Sequence, residues 1–240
     1  MEETFYTSAI ILKRTVWREH DSKVTVYSLE KGKLELVARG TKKILSKLAS
    51  HLEPITLSDL MVIKGRQLDY VGTAISEENF KIIKKDLEKI FLVGEIINLF
   101  NSLVKEQEKD PQLFYLLRDF LFLVNEDKVD KNKTELLSTA FKIKLIDILG
   151  YTPNFENCIV CGQKNISKDY VFDFAKGGIV CQKCEMQFNK SAQKFEHYLI
   201  ENYKKVFGFN FKDVVNIESE IQEVEELKVF VDGYILANIK

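Results

Sequence analysis

Four cysteines form two C-x-x-C pairs, Cys158/Cys161 and Cys181/Cys184, and no other cysteine occurs in the 240-residue chain. Each pair places two thiolates on one tight turn, and two such turns facing each other supply the four sulfur ligands of a tetrahedral Zn²⁺ site. Gly162 follows the first pair, where a turn with positive φ favours glycine. The spacing therefore predicts a zinc site.

Two other uses of these cysteines remain as alternatives. Two disulfides would employ the same residues, but the chain begins Met-Glu-Glu-Thr and has no apolar signal segment, which argues against an oxidising compartment. A redox C-x-x-C would need one pair only and would leave the second without a role. A site closed by four sulfurs leaves no position for water or substrate, so we expect the metal to be structural.

Charge is distributed unevenly along the chain. Residues 13–47 contain ten bases and four acids, a net charge of +6, whereas the whole chain has a net charge of −1. Residues 216–227 contain five acids and no base. This asymmetry indicates a polyanionic partner for the basic segment, with a lysine-rich solvated surface as the alternative, and the acidic segment is expected to face away from that partner.

The basic segment belongs to a region that reads as five strands. Alternating or β-branched runs predict strands at residues 8–12, 24–29, 33–39, 55–63 and 67–75, with a short helix or loop at 41–52 between the third and fourth. A turn at 30–32, where Gly32 supplies a positive φ, joins the second and third strands as a hairpin, and the K-G-R turn at 64–66 joins the fourth and fifth. This is the element order of an OB-fold barrel, a fold that stacks bases on aromatic side chains across a basic groove. Tyr6, Trp17, Tyr27 and Tyr70 are the aromatic candidates; we favour Trp17 and Tyr27, and packing in the core is the alternative.

The remainder of the chain reads as helical. Residues 76–78 resemble a helix N-cap and first turn, Asp110-Pro111 starts another helix, and a third ends at Gly150. Two short strands around a glycine turn separate the cysteine pairs, and helices resume at residues 192–207 and from 221 onward. We therefore predict a multidomain protein of α and β structure: an N-terminal OB-fold barrel at 1–76 and a C-terminal α-helical domain at 77–240 with a four-cysteine zinc hairpin inserted at about 155–190.

Motifs of catalysis and of membrane insertion are missing from the sequence. It contains no phosphate-binding glycine loop, no H-E-x-x-H and no G-x-S-x-G, and its three histidines lie far apart. No apolar run reaches the length of a membrane span. These observations favour a cytoplasmic binding protein over an enzyme.

Several sequence blocks, occurring in one order, make the chain similar to a known family. They are residues 9–14 (AIILKR), 21–28 (DSKVTVYS), 37–43 (VARGTKK) and 52–54 (LEP), then 114–117 (FYLL) and 149–153 (LGYTP) directly before the first cysteine pair. In these blocks the chain resembles the RecO family of bacterial recombination mediators over essentially its full length.

The resemblance implies a function in recombinational DNA repair, at the nucleoid. It implies binding of single- and double-stranded DNA, annealing of complementary strands, and work with RecR to load RecA onto DNA coated by single-stranded DNA-binding protein. An adaptor that docks RecR and the tail of single-stranded DNA-binding protein, with little direct DNA binding, is the alternative. The DNA-contacting basic residues implied by the resemblance are Arg14, Lys23, Lys31, Lys33, Arg39, Lys42, Lys43 and Lys47.

Overall fold

The N-terminal part of the computed structural model is a closed barrel of five strands. The model describes residues 3–164, 170–188, 197–218 and 220–239. The strand order is β1-β2-β3-β5-β4, and a 3-10 helix, Ala49–Leu52, lies between β3 and β4 as the sequence predicts. The strands are β1 (Thr4–Val16), β2 (Ser22–Ser28), β3 (Gly32–Ala38), β4 (Leu57–Ile63) and β5 (Asp69–Glu78).

One parallel pairing closes the barrel. Strands β3 and β5 pair in parallel through Leu36 with Asp69 and Val37 with Tyr70, whereas all other neighbouring strands pair antiparallel. The predicted hairpin between β2 and β3 is confirmed, and Gly32 at its turn has φ +68°. Alternate side chains face the interior. The buried cluster comprises Ala9, Ile11, Val24, Val26, Leu34, Leu36, Ala38, Leu52, Leu60, Val62, Val71 and Ala74.

The first long helix begins later than the sequence predicts. A helix start at residues 76–78 is wrong, because β5 continues to Glu78, which pairs with Leu57 of β4. The N-cap is instead Asp86, whose carboxylate accepts hydrogen bonds from the backbone N–H groups of Glu88 and Lys89. The predicted start at Asp110-Pro111 is confirmed. The helices of this region are α1 (Lys81–Lys85), α2 (Leu87–Leu103) and α3 (Pro111–Val124).

The C-terminal part packs helices around a small two-stranded sheet. The strands are β6 (Tyr170–Asp173) and β7 (Gly178–Cys181), joined by a turn with Gly177 at φ +70°, as predicted. Residues 192–196 of the predicted helix lie outside the described part of the chain. The helices are α4 (Lys131–Ile148), α5 (Gln182–Phe188), α6 (His197–Gly208) and α7 (Ile221–Asn238), with a 3-10 helix at Phe211–Asn216.

Aromatic side chains join the two-stranded sheet to the helices around it. Phe172 of β6 is fully buried, and its ring centroid lies 5.0 Å from that of Phe230 on α7. Phe155 stands between them and Tyr203 of α6, again at 5.0 Å from the Tyr203 ring. The sheet that carries Cys181 is therefore fixed to the helical core of its own unit.

The chain divides into two compact units, residues 1–128 and 129–240. The unit that holds the barrel thus also contains α1, α2 and α3, whereas the sequence predicts a domain boundary after residue 76; that boundary stays a prediction. Within the described ranges, no helix combines the length and the apolar character needed to cross a membrane.

Candidate functional site

The four cysteines meet at one point of the C-terminal unit. Their sulfur atoms all lie within 4.8 Å of one another, and Cys161 Sγ is 3.8 Å from Cys181 Sγ. Tetrahedral Zn²⁺ with Zn–S bonds of about 2.3 Å requires sulfur atoms about 3.8 Å apart. Donor type, number and spacing therefore fit a four-sulfur metal centre.

Two backbone turns position the sulfurs. Cys158 and Cys161 lie on a turn closed by the Gly162 N–H, which donates to Cys158 O at 2.8 Å, and Gly162 has the predicted positive φ of +73°. This turn is attached to β7, because Ile159 N–H donates to Ile179 O at 3.0 Å. Cys181 and Cys184 follow from β7 and the first turn of α5.

The surroundings of the sulfurs favour thiolate at Cys158. Burial raises the pKa of this thiol, but backbone N–H groups of Cys161, Cys181 and Val160 outweigh burial and lower the pKa to about 6. One of these donors, Cys181 N–H, lies 3.4 Å from Cys158 Sγ. Cys158, Cys181 and Cys184 are buried, and only Cys161 is exposed. Four sulfurs complete a tetrahedral shell, so the arrangement suits a structural ion.

A second candidate site is the outer face of β2 and β3. Because side chains alternate along a strand, Lys23 points outward while its neighbour Val24 is buried in the barrel. Lys23 Nζ lies 4.1 Å from the ring centroid of Trp17 and 2.9 Å from Glu35 Oε2. Trp17 is 41% exposed, so a base could stack on the part of its ring that Lys23 leaves uncovered.

Two loops bring further basic residues to the same end of the barrel. Residues 40–48 connect to the β1–β2 loop, because Gly40 N–H donates to Asp21 Oδ1 at 2.9 Å and Lys42 N–H donates to His20 O at 3.1 Å. The side chains of Lys42, Lys43 and Lys47 on this loop are exposed. The structure therefore groups these three lysines with Trp17 and Lys23.

A groove of about 760 Å³ continues the basic surface at the β4–β5 turn. The Arg39 guanidinium lies 4.2 Å from the ring centroid of Tyr70, and both side chains line the groove. Lys64 and Arg66 also line it, and sequence reasoning missed them. Their signal in the sequence is the K-G-R turn, which by itself predicts only a hairpin connection. Gly65 is needed in this turn because a Cβ would lie 2.0 Å from Leu68 O.

The opposite end of the β2–β3 face is covered. The Tyr27 side chain is fully buried, its ring meets Phe100 of α2 edge-on at 5.0 Å, and its hydroxyl donates to Asp110 O at 3.2 Å. Base stacking on Tyr27 is therefore wrong. The prediction failed because helix α2, some seventy positions later in the sequence, supplies the cover.

Lys33 also belongs to this covered end. Its ammonium donates to the carbonyl oxygens of Asn101 at 2.6 Å and Val104 at 3.1 Å, at the C-terminus of α2. The partial negative charge at a helix C-terminus stabilises such a cation. Lys33 is thus part of the fold, and we remove it from the candidate DNA contacts.

Two further basic residues that were predicted to contact DNA lie apart from the lysine loop and from the groove. Arg14 bridges to Ala49 O at 2.8 Å and to Glu53 Oε1 at 2.7 Å, which holds the 3-10 helix against β1. Lys31 is exposed at the β2–β3 turn, with its ammonium 5.7 Å from the Phe5 ring centroid. A DNA contact at either residue stays a prediction.

A five-stranded barrel unit with an exposed basic and aromatic face, together with a helical unit built around a four-cysteine centre, defines the structural class of this protein. Two family models match the chain, Recombination protein O N terminal over residues 1–80 and Recombination protein O C terminal over residues 84–239. The chain therefore belongs to the RecO family, and the resemblance read from its sequence is confirmed.

Relatives from several bacteria support this assignment. The chain is similar to the DNA repair protein RecO of Desulforamulus reducens, at 30% identity over 95% of this chain and 86% of the relative. It is 29% identical to the DNA repair protein RecO of Caldanaerobacter subterraneus over 89% of this chain and 87% of that protein. The DNA repair protein RecO of Pelotomaculum thermopropionicum is 32% identical over 75% of this chain and 68% of that protein.

Proposed function

We propose that this protein is a mediator of recombinational DNA repair that binds single- and double-stranded DNA through its barrel. In this role it anneals complementary strands and works with RecR to load RecA onto DNA coated by single-stranded DNA-binding protein. The observation that carries the proposal is the grouping of Lys23, Arg39, Lys42 and Lys43 with the exposed aromatic Trp17 around the barrel. The names of the relatives support the DNA repair role.

The barrel is, in this proposal, an OB-fold. Support comes from the strand order β1-β2-β3-β5-β4 with its single parallel pair, and from the 3-10 helix between β3 and β4. OB-folds bind oligonucleotides on the face of strands 2 and 3 and between the loops that follow strands 1 and 4. Lys23 belongs to the first of these regions, and Trp17, Lys64 and Arg66 belong to the second.

Annealing by such a surface needs no catalytic residue. Two complementary strands repel each other through their phosphates, and a basic surface that neutralises phosphates on both strands reduces this repulsion. Release of the counterions condensed on DNA supplies much of the affinity, so binding weakens as salt increases. In this proposal, the necessary charge comes from the end of the β2–β3 face that α2 leaves uncovered and from the adjoining groove.

We assign structural Zn²⁺ to Cys158, Cys161, Cys181 and Cys184, since their spacing fits the ion. Bound zinc would link the turn before β6 to β7 and α5 and so supply folding energy to the hairpin. Because β6 packs on α7 through Phe172 and Phe230, a loose hairpin would disturb the helical core of its unit.

The salt dependence of DNA binding tests the proposal. We expect log Kobs for single-stranded DNA to fall with log salt at a slope of roughly −3 if about four phosphates are contacted. Replacing Lys42 and Lys43 by alanine should make the slope shallower by about 1.4, since each contact to a single strand contributes about 0.7. The matched control removes the adjacent exposed pair Lys204 and Lys205 of α6 and should leave the slope unchanged.

Strand annealing by the purified protein, with and without single-stranded DNA-binding protein, measures the proposed activity itself. Binding that is insensitive to salt, or a slope that the Lys42/Lys43 variant leaves intact, would refute the barrel as the DNA site. Retention of RecR in a pull-down together with no DNA shift at low salt would establish the adaptor instead.

A further inference from the structure

Two apolar side chains project from the loop that joins β3 to the 3-10 helix. Ile44 is 102% exposed and Leu45 is 92% exposed, relative to fully accessible side chains. Within the described ranges no other large apolar side chain is as exposed as these two. Neither residue packs in the barrel, so their apolar character has no use in the fold of this unit.

The backbone holds this apolar tip in place. At the base of the loop, Thr41 is buried and its hydroxyl lies 2.8 Å from the Ser22 hydroxyl of β2. Two successive turns follow, since Lys43 N–H donates to Gly40 O at 3.1 Å and Ser46 N–H donates to Lys43 O at 3.0 Å. Ile44 and Leu45 are therefore presented to solvent on an ordered turn, and little conformational freedom is lost when a partner covers them.

The charges around the tip indicate the chemistry of its partner. Lys42 and Lys43 precede the apolar pair and Lys47 follows it, all three exposed. Between Glu35 and Glu53 the chain contains no acidic residue. A partner must therefore combine closely spaced negative charges with an apolar surface. DNA has this combination, because each phosphate is followed by the flat, apolar face of a base.

We propose that Ile44 and Leu45 form a wedge that enters between neighbouring bases of bound DNA while Lys42, Lys43 and Lys47 hold the phosphates on either side. Apolar side chains of this kind separate base steps in several DNA-binding proteins. The inference rests on the proposed DNA binding by the barrel and adds a specific role for the loop. The strand loses its stacking at the step that the wedge enters, and the bases on either side of that step become accessible to a complementary strand.

The test is a double variant, Ile44→Ser with Leu45→Ser, which removes the apolar surface and retains the three lysines. Oligonucleotides with a 2-aminopurine base report the wedge, since this base becomes brighter when it is unstacked. The matched control is Val229→Ser on α7, an aliphatic residue that is 71% exposed but follows Glu225 and Glu226 by one helical turn. All the altered side chains are exposed, so the thermal unfolding temperature should not change.

We expect the wild type and the Val229 variant to brighten 2-aminopurine on binding, and the double variant to bind without brightening it. Its affinity should be lower by about tenfold, the order found when one base-stacking side chain is removed, while its salt slope stays that of the wild type. Equal affinity and equal brightening by the double variant would overturn the wedge. So would unchanged DNA binding with lost binding to single-stranded DNA-binding protein, which would assign the tip to a protein partner. If the wild type itself binds no DNA, the proposed function fails first.

Discussion

Lys33 and Lys42 carry the same charge nine residues apart, and we expect them to have opposite roles. Replacing Lys33 by methionine retains the aliphatic stem but removes the ammonium that donates to Asn101 O and Val104 O. Two charge-assisted hydrogen bonds at a helix C-terminus are lost, so we expect the free energy of unfolding to fall by about 2–3 kcal/mol. The same replacement at exposed Lys42 should change it by less than about 0.5 kcal/mol.

DNA binding should respond in the reverse order. Removal of a phosphate contact at Lys42 should make the salt slope for single-stranded DNA shallower by about 0.7. Lys33→Met should leave the slope unchanged, because this ammonium is already bound within the protein. Lys33→Met should thus lower stability and leave the salt slope unchanged, whereas replacement of Lys42 should do the reverse. Neither a general loss of charge nor a general loss of folding would produce this pattern.

Both quantities can be measured on the intact chain. Trp17 is the only tryptophan and belongs to the barrel unit, so its fluorescence during urea unfolding reports the stability of that unit. Fluorescence anisotropy of a labelled oligonucleotide over a salt series gives the slope. If Lys33→Met were as stable as the wild type but lost salt slope, the division of the β2–β3 face into a covered end and a DNA-binding end would be refuted.

Three further predictions concern the fold. Gly32→Ala should destabilise the barrel unit by about 3 kcal/mol, because a Cβ would lie 2.2 Å from Glu108 O and the backbone is also left-handed there. Gly40→Ala should destabilise it by only about 1 kcal/mol, because Gly40 has φ +67° but only a flexible lysine side chain nearby. Equal losses of stability in urea unfolding would contradict this prediction. Burial raises the pKa of Tyr27 from 10.0 to about 12, so its contribution to stability is complete below pH 10 and is lost as the pH rises towards 12. Tyr27→Phe should lower the free energy of unfolding by about 1 kcal/mol at neutral pH and make the loss of stability at alkaline pH shallower. If the loss of stability at alkaline pH is unchanged in this variant, Tyr27 is not its cause. Metal analysis should find about one zinc per chain. Chelation should unfold the region around the cysteines while DNA binding by the barrel is retained. Loss of DNA binding in a chain that stays folded would instead show that the two sites are coupled.

The features that the sequence predicts correctly depend on short-range patterns. The two C-x-x-C pairs have only a few ways to meet, so their spacing was sufficient to locate the four-sulfur centre. Strands β2 and β3 were predicted because buried residues such as Val24 and Val26 alternate with polar ones. Gly32 and Gly162 marked turns whose positive φ the structure confirms.

The features that the sequence predicts wrongly depend on distant partners. Nothing near Tyr27 or Lys33 shows that α2 covers them, since their contacts at Phe100, Asn101 and Val104 lie about seventy residues away. Residues 76–78 have the composition of a helix start, but pairing with β4 extends β5 through them. Local propensity was in each case overridden by packing.

The cover over Tyr27 and Lys33 also determines where this protein can be divided for study. The two family models meet between residues 80 and 84, which makes that point an attractive place to end an expressed fragment. Such a fragment would lack Asn101, Val104 and Asp110, and so would leave a buried tyrosine ring exposed and a lysine without its acceptors. The shortest autonomous barrel fragment is therefore expected to extend to Lys128, with α1, α2 and α3 included.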